Sequence, residues 1–273
     1  MRRTLGVDVG ATLCKIVPLD APEVAVHCPS EAWEAVRTHV LAHAPTRVGA
    51  TGGGASRLGA MLPEVSVTPV GEFEAWAAGA SILAAADGLV LSPRHLVASV
   101  GTGTSVIMVG DGAPARLGGT AVGGGTFMGL GRLLVGESSF EKLAALAAAG
   151  DRREVDLLVR DVYRDAAGPL VGDLTAANFA KLRSLRREDL AAALVTLVGE
   201  TVALVAGALA RGADVETIVY CGSTLLGNPA LGAVLDDITR RFGGTPLFFR
   251  AGAFCGALGA ARLAAESVSG QRL

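Results

Sequence analysis

Residues 5–20, LGVDVGATLCKIVPLD, decide the fold of this chain. Apolar residues flank a short glycine turn on both sides, and this pattern predicts a β-hairpin. A similar pattern returns at residues 96–111, LVASVGTGTSVIMVGD, where 5 of the 16 positions are identical without a gap. A restart near mid-chain indicates an internal duplication. The alternative is that two unrelated hairpins of similar composition look alike.

Strands and helices alternate after each hairpin. Helices are predicted at residues 31–44, 72–86, 139–149, 186–212, 228–242 and 253–265. Ser30, Ser138 or Ser139, and Asn228 are the expected N-caps. The helix at 186–212 is so apolar that it should be buried on several sides. Two α/β halves, residues 1–92 and 93–273, predict two lobes with a ligand cleft between them.

The composition limits the classes of function. Of 273 residues, 51% are hydrophobic and 18% are charged, which suits one large domain or two lobes. The net charge is −2 and no basic block occurs, so a nucleic-acid partner is not expected.

The four cysteines have no CxxC spacing, which favours buried free thiols over a metal site or a disulfide. The N-terminus, MRRTLGVDVG, lacks the apolar core of a signal peptide. No run of about 20 residues is apolar without glycine or charge, so no membrane span is expected. We therefore expect a cytoplasmic protein.

Three glycine turns should end at the cleft: Gly10, residues 101–103 and residues 123–125. A turn without side chains exposes backbone N–H groups, and a following helix adds the positive end of its dipole. The stretch 118–131, GGTAVGGGTFMGLG, has this arrangement, so residues 123–125 are predicted to bind phosphate oxygens. Close helix packing is the alternative. The Walker A pattern is absent.

Several charged side chains accompany these turns. Asp8, inside an apolar strand, would hold Mg²⁺ through water, and Lys15 would reach a phosphate. A solvated edge residue and a surface lysine are the alternatives. Glu72 and Glu74 begin a helix, and either is a candidate general base or a first-turn acid that favours the helix dipole. Arg116 would clamp a carboxylate or phosphoryl group, unless it is a surface arginine.

Taken together, the sequence resembles the type II pantothenate kinases of the acetate and sugar kinase/Hsp70/actin superfamily. The resemblance rests on the stretches GVDVGATLCKIV, TGGGA, EFEAWAAG, SVGTGTS, RLGGTAVGGGTFMGLGRLL, GDLTAANF, VYCGS and AGAFCGALGA. It implies an α/β, two-lobed, actin-like ATPase fold of duplicated ribonuclease H-like domains, with the nucleotide cleft between the lobes.

The resemblance also implies a reaction and a site. The enzyme would phosphorylate the 4′-hydroxyl of pantothenate with ATP and Mg²⁺, the first step of coenzyme A synthesis, and would be a homodimer. Glu72 would be the base, and Arg116 would hold phosphate and substrate. Further substrate contacts would be Thr102, Ser105 and, from the partner subunit, the positions equivalent to Thr175 and Ala176. ATP contacts would be Gly10, Thr12, Lys15, Gly101, Gly123, Gly124, Gly125 and Gly222, with Asp8 at the metal.

There are two alternatives to this expected function, and the sequence departs from the family pattern at two positions. In the first alternative, the enzyme is a kinase whose acceptor is pantetheine or a sugar. In the second, the protein is an ATP-binding regulator without kinase activity. Ala11 stands in the first turn where the family often has glycine, and Trp76 stands where small residues are usual.

Overall fold

The computed structural model describes residues 3–163 and 172–269. The strands are β1 (Thr4–Val9), β2 (Leu13–Pro18), β3 (Val26–Pro29), β4 (Arg47–Thr51), β5 (Ser66–Pro69), β6 (His95–Val100), β7 (Thr104–Val109), β8 (Ala115–Thr120), β9 (Leu157–Leu158), β10 (Thr175–Ala177), β11 (Thr217–Cys221) and β12 (Thr245–Phe248). The α-helices are α1 (Trp33–Ala42), α2 (Ala55–Met61), α3 (Glu72–Ala86), α4 (Gly124–Leu130), α5 (Phe140–Ala149), α6 (Val159–Val162), α7 (Arg187–Gly212), α8 (Pro229–Arg241) and α9 (Cys255–Ser269).

The two halves of the chain contain sheets of the same topology. The first sheet has the order β3-β2-β1-β4-β5, and the second has the order β12-β11-β6-β7-β8. In each sheet the first three strands in sequence are antiparallel and the last two are parallel to the first. The duplication predicted from the two hairpins is therefore confirmed.

The two hairpin turns differ in length by one residue. Val9 faces Cys14 across the first turn, whereas Val100 faces Thr104 across the second. The gapless sequence alignment therefore pairs structurally equivalent residues on the first strand of each hairpin. Beyond the turn it is shifted by one residue.

Helix α7 forms the centre of the second half, packed against α5, α8 and the second sheet. Within the described residues it is the one helix with the length and apolar composition of a membrane span. Of its most apolar 18-residue window, 72% is buried inside the fold. The prediction of a helix buried on several sides is confirmed.

Helix α9 comes from the end of the chain but packs against the first sheet and against α3. Where it crosses α3, a Cβ on Gly259 would lie 1.8 Å from the carbonyl oxygen of Ala75. The two backbones touch because glycine stands at this crossing. The predicted boundary at residues 92 and 93 falls between α3 and β6, and α9 reaches back across it.

The helix caps test the local predictions. Ser139 and Asn228 accept hydrogen bonds from the first turns of α5 and α8, as predicted. The prediction for Ser30 is wrong, because α1 begins three residues later and the Ser30 hydroxyl donates instead to the Gly10 carbonyl, at 2.7 Å. The sequence reading missed α2, α6, β5, β9 and β10, which are short elements with weak periodicity.

Candidate active site

A cleft of about 490 Å³ lies between the two halves, and ten predicted site residues line it. From the first half these are Asp8, Gly10, Thr12, Lys15 and Glu72. From the second half these are Gly101, Thr102, Ser105, Arg116 and Gly222. The duplicated topology explains this, because equivalent strand ends and turns of the two sheets face each other.

Asp8 and Lys15 form a buried ion pair on the floor of the cleft. They face each other on β1 and β2, with the Lys15 Nζ 3.0 Å from the Asp8 Oδ2, and each side chain is 11% exposed. A buried charge without its partner is costly, so each holds the other in place. Neither residue is the solvated edge carboxylate or surface lysine of the alternative interpretation. The Lys15 ammonium lies under the first turn, beside Gly10.

The two hairpin turns meet across the cleft. The Thr12 and Thr102 hydroxyl oxygens are 2.8 Å apart, within hydrogen-bond distance. Both hydroxyls belong to exposed residues that line the cleft. Each half of the protein thus contributes one hydroxyl group at the point where the turns meet.

The glycines at 123–125 bring α4 against the backbone of the second turn. The Gly124 N–H donates to the Gly101 carbonyl and the Gly125 N–H to the Thr102 carbonyl, both at 2.8 Å. A Cβ on Gly123 would lie 2.8 Å from each of these two oxygens. In this structure, therefore, the three glycines position the turn at 101–103, as the close-packing alternative expects. The three glycines are not among the residues that line the cleft, and the N–H groups of Gly124 and Gly125 are already bonded to these carbonyls. Phosphate contact at residues 123–125 stays a prediction.

Gly222 directly follows β11 and lines the cleft from the second half of the chain. Its φ is +110°, and a Cβ there would lie 2.4 Å from the Val100 carbonyl oxygen. Glycine is therefore required at this position on two grounds, backbone conformation and space.

Glu72 begins α3 and is solvent-exposed at the cleft. Partial desolvation by the surrounding protein raises the pKa of its carboxyl, and the negative charge of Asp8 raises it further, whereas Lys15 lowers it. Glu74 is not among the cleft residues, and its carboxylate folds back against Gly71. Their spacing in the sequence does not distinguish Glu72 from Glu74 as the candidate base. Their positions in the structure do, and they favour Glu72.

Arg116 lies on β8, exposed, with its guanidinium beside Gly119 at the cleft wall. In the described part of the chain it has no ion-pair partner. Gly119 faces Ser105 across the β7–β8 ladder, so the serine predicted as a substrate contact is nearby. An unpaired guanidinium next to a hydroxyl is suited to an anion such as a phosphoryl group or carboxylate.

Thr175 and Ala176 are not brought to the cleft of their own chain. They lie on β10, where the Thr175 hydroxyl accepts from the Arg152 Nη1 at 2.8 Å and donates to the Glu200 Oε1 at 2.7 Å. This hydroxyl is engaged inside the fold, whereas Ala176 is exposed. Any contact of this segment with a substrate would therefore have to be made in another subunit.

The sequence reading missed several cleft residues. Ser99 lines the cleft, and the signal was available, because the duplication aligns it with Asp8. Cys221 and Cys255 were predicted only as buried free thiols, which they are, yet they also border the cleft. Gly256, at the start of α9, had no distinguishing signal because the sequence does not show that α9 returns to the first half.

Comparison with known sequences supports a kinase family. A family model described as Fumble matches residues 91–262. The type II pantothenate kinase of Staphylococcus haemolyticus is 35% identical over 263 residues, covering 94% of this chain and 98% of that protein. That of Oceanobacillus iheyensis is 33% identical over 266 residues, with the same coverage of 94% and 98%.

Solved structures of low sequence identity share the fold. The activator of 2-hydroxyisocaproyl-CoA dehydratase from Clostridium difficile, with bound ADPNP, has a TM-score of 0.67 at 15% identity, covering 99% of this chain and 97% of that one. A ROK family glucokinase from Streptomyces griseus, in complex with glucose and AMPPNP, has a TM-score of 0.58 at 14% identity, covering 97% and 99%. The predicted two-lobed, actin-like ATPase fold is confirmed. With the sequence matches along nearly its whole length, the chain belongs to the Fumble family of type II pantothenate kinases.

Proposed function

We propose that this enzyme transfers the γ-phosphoryl group of ATP to the 4′-hydroxyl of pantothenate, the first step of coenzyme A synthesis. The observation that carries the proposal is that Glu72 and Arg116 line one cleft with two glycine turns, and that Arg116 has no ion-pair partner among the described residues. We also propose that the reaction takes place in the cytoplasm, which supplies ATP and keeps thiols reduced; the four free buried cysteines support this location.

In the proposed mechanism, each charged group has one task. Glu72 accepts the proton of the attacking hydroxyl. Arg116 neutralises charge that spreads over the transferring phosphoryl oxygens, and Lys15 attracts the ATP phosphates. The turns at 10–13 and 101–103 hold the phosphates in line with the acceptor, and this positioning supplies a large part of the rate.

Asp8 fits a magnesium ion that is bound mainly by ATP and water. The described residues contain no group of three or more His, Cys, Asp and Glu side chains suited to a metal. Mg²⁺ commonly uses one or two carboxylates together with phosphates and water, so a single cleft carboxylate is sufficient. When bound there, the ion would neutralise phosphate charge. Asp8 would face it with one carboxylate whose Oδ2 is anchored by Lys15.

A substrate panel tests the proposed reaction. Release of ADP is measured with ATP and Mg²⁺ and with pantothenate, pantetheine or glucose as acceptor, or with no acceptor. We expect the highest kcat/KM with pantothenate, because it alone carries a carboxylate that Arg116 can hold. Faster turnover of pantetheine or glucose would reassign the acceptor. ATP binding without acceptor-dependent turnover would indicate the regulatory alternative.

We also propose that the enzyme acts as a homodimer in which residues 175–176 of one subunit complete the cleft of the other. The support is that β10 lies outside its own cleft, with Ala176 exposed and with the Thr175 side chain locked by Arg152 and Glu200. A locked, exposed segment is suited to offering its backbone and a small side chain to a second molecule.

Subunit mixing tests this arrangement. The variants Glu72→Gln and Ala176→Arg should each be inactive as pure dimers, because each damages both sites. Mixed dimers should regain activity, because one of their two sites then has an intact base and an intact Ala176. Mixtures that remain as inactive as their parents, or a monomer in light scattering, would contradict the shared site.

A further inference from the structure

We propose that Trp76 is the residue that selects the acceptor, with its indole packing against the two methyl groups beside the hydroxyl that is phosphorylated. This inference rests on the proposed function and adds a specificity determinant to it. It starts from the position of Trp76 on α3, one helical turn after Glu72, where residues four apart share a face. Both residues line the cleft.

The indole is held rigidly at the cleft. Trp76 is only 7% exposed, and its ring packs against Phe73 with the ring centroids 5.9 Å apart. The Cys255 thiol donates to the Trp76 carbonyl oxygen at 3.3 Å, which ties this turn of α3 to the start of α9. A ring held in this way presents a fixed surface to a ligand.

The indole edge lies next to the charged floor of the cleft. A Cβ on Gly256 would be 3.1 Å from both the Cδ1 and the Nε1 of Trp76 and 3.2 Å from the Asp8 Oδ2. Because glycine has no side chain, the Trp76 indole and the Asp8 carboxylate can both lie close to position 256. Trp76 thus flanks the place where the acceptor hydroxyl must approach Glu72 and the phosphates.

The chemistry of the lining gives this surface its selectivity. Among the described residues around the cleft, Trp76 is the single aromatic one, and most of its neighbours there are glycine, hydroxyl or charged residues. The reacting CH₂OH of pantothenate is attached to a carbon with two methyl groups. An indole favours contact with methyl groups, whereas a sugar would place hydroxyls there and leave them without partners.

The inference is tested by comparing two substrates in three forms of the enzyme. The value of kcat/KM is measured for pantothenate and for the analogue that lacks both methyl groups, in wild type, Trp76→Ala and Trp76→Phe. We expect wild type to prefer pantothenate by at least about 10-fold, since one methylene in an apolar pocket is worth about 10- to 200-fold. The preference should fall to within about threefold in Trp76→Ala and be largely retained in Trp76→Phe.

Trp33→Ala is the matched control, because Trp33 packs under Arg57 in the first half and is not among the cleft residues. Its preference for pantothenate should equal that of wild type. An unchanged preference in Trp76→Ala, with pantothenate still phosphorylated, overturns the role of Trp76 and leaves the proposed function standing. Absence of pantothenate turnover in wild type overturns the proposed function and this inference with it.

A fluorescence titration tests the contact without altering Trp76. The chain has only two tryptophans, so Trp33→Phe makes Trp76 the sole tryptophan emitter. Pantothenate added in the presence of a non-hydrolysable ATP analogue should shift or quench its emission, and the analogue without methyl groups should do so at higher concentration. Emission that does not respond to saturating pantothenate overturns the inference.

Discussion

Replacing Glu72 with glutamine should lower kcat by about 10²- to 10⁴-fold, the usual contribution of a positioned general base, and leave ATP affinity unchanged. Glutamine keeps the shape of the side chain but cannot accept the proton of the acceptor hydroxyl. Glu72 lines the cleft wall with Asp8 and Lys15, so its loss should affect the transfer step. Steady-state turnover and calorimetric titration with ATP measure the two effects separately.

The pH profile provides an independent check on this base. Because desolvation and then Asp8 raise the pKa of the Glu72 carboxyl, wild-type kcat/KM should begin to fall at a pH above the ordinary carboxyl value as the solution is acidified. Below that pKa the carboxyl is protonated and cannot accept a proton. The residual activity of Glu72→Gln should lack this limb. Glu74→Gln is the control and should behave as wild type, and an equal loss there would refute the assignment.

Replacing Gly259 with alanine should lower the free energy of unfolding by about 3 kcal/mol or more, at the upper end of the range for overpacking. The new Cβ would lie 1.8 Å from the Ala75 carbonyl oxygen and 2.7 Å from the Gly79 nitrogen. Both are backbone atoms of α3, so no side-chain rotation relieves the clash, and α3 and α9 must separate. Urea unfolding followed by circular dichroism measures the loss.

Gly232→Ala is the matched control for that measurement. Gly232 is also a helical glycine, on α8, but a Cβ there meets nothing within 4 Å. Alanine has the higher helix propensity, so this variant should be more stable than wild type by about 0.5 to 1 kcal/mol. Equal stability changes in the two variants would show that the crossing of α3 and α9 is not tightly packed.

Local pattern was sufficient for much of the fold and part of the site. Alternation around a glycine turn predicted both hairpins, and the restart at residue 96 predicted the duplicated sheets. Asp8 stood out as a carboxylate inside an apolar strand, but its ion pair with Lys15 is visible only in the structure. Helix propensity and capping residues placed α3, α5, α7 and α8 closely.

Contacts between distant segments could not be predicted in this way. Glycines at 123–125 suit a phosphate or a neighbouring backbone equally, and only the tertiary structure shows that the turn at 101–103 occupies that space. Spacing alone did not distinguish Glu72 from Glu74; the family resemblance pointed to Glu72, and in the structure Glu72, unlike Glu74, lines the cleft. The Thr175 hydroxyl is held by Arg152 and Glu200, which lie on separate elements that share no sequence pattern.

The position of α9 has a consequence for the order in which the chain can fold during synthesis. The first sheet and α3 leave the ribosome well before α9, the helix that covers them. Until α9 has emerged, Gly6 and Ala80, both buried in the finished protein, lie on surfaces that α9 does not yet cover. The amino-terminal half therefore completes its core only when α9 has been synthesised and has docked. The second half, which contains its own central helix α7, can be largely packed before that point.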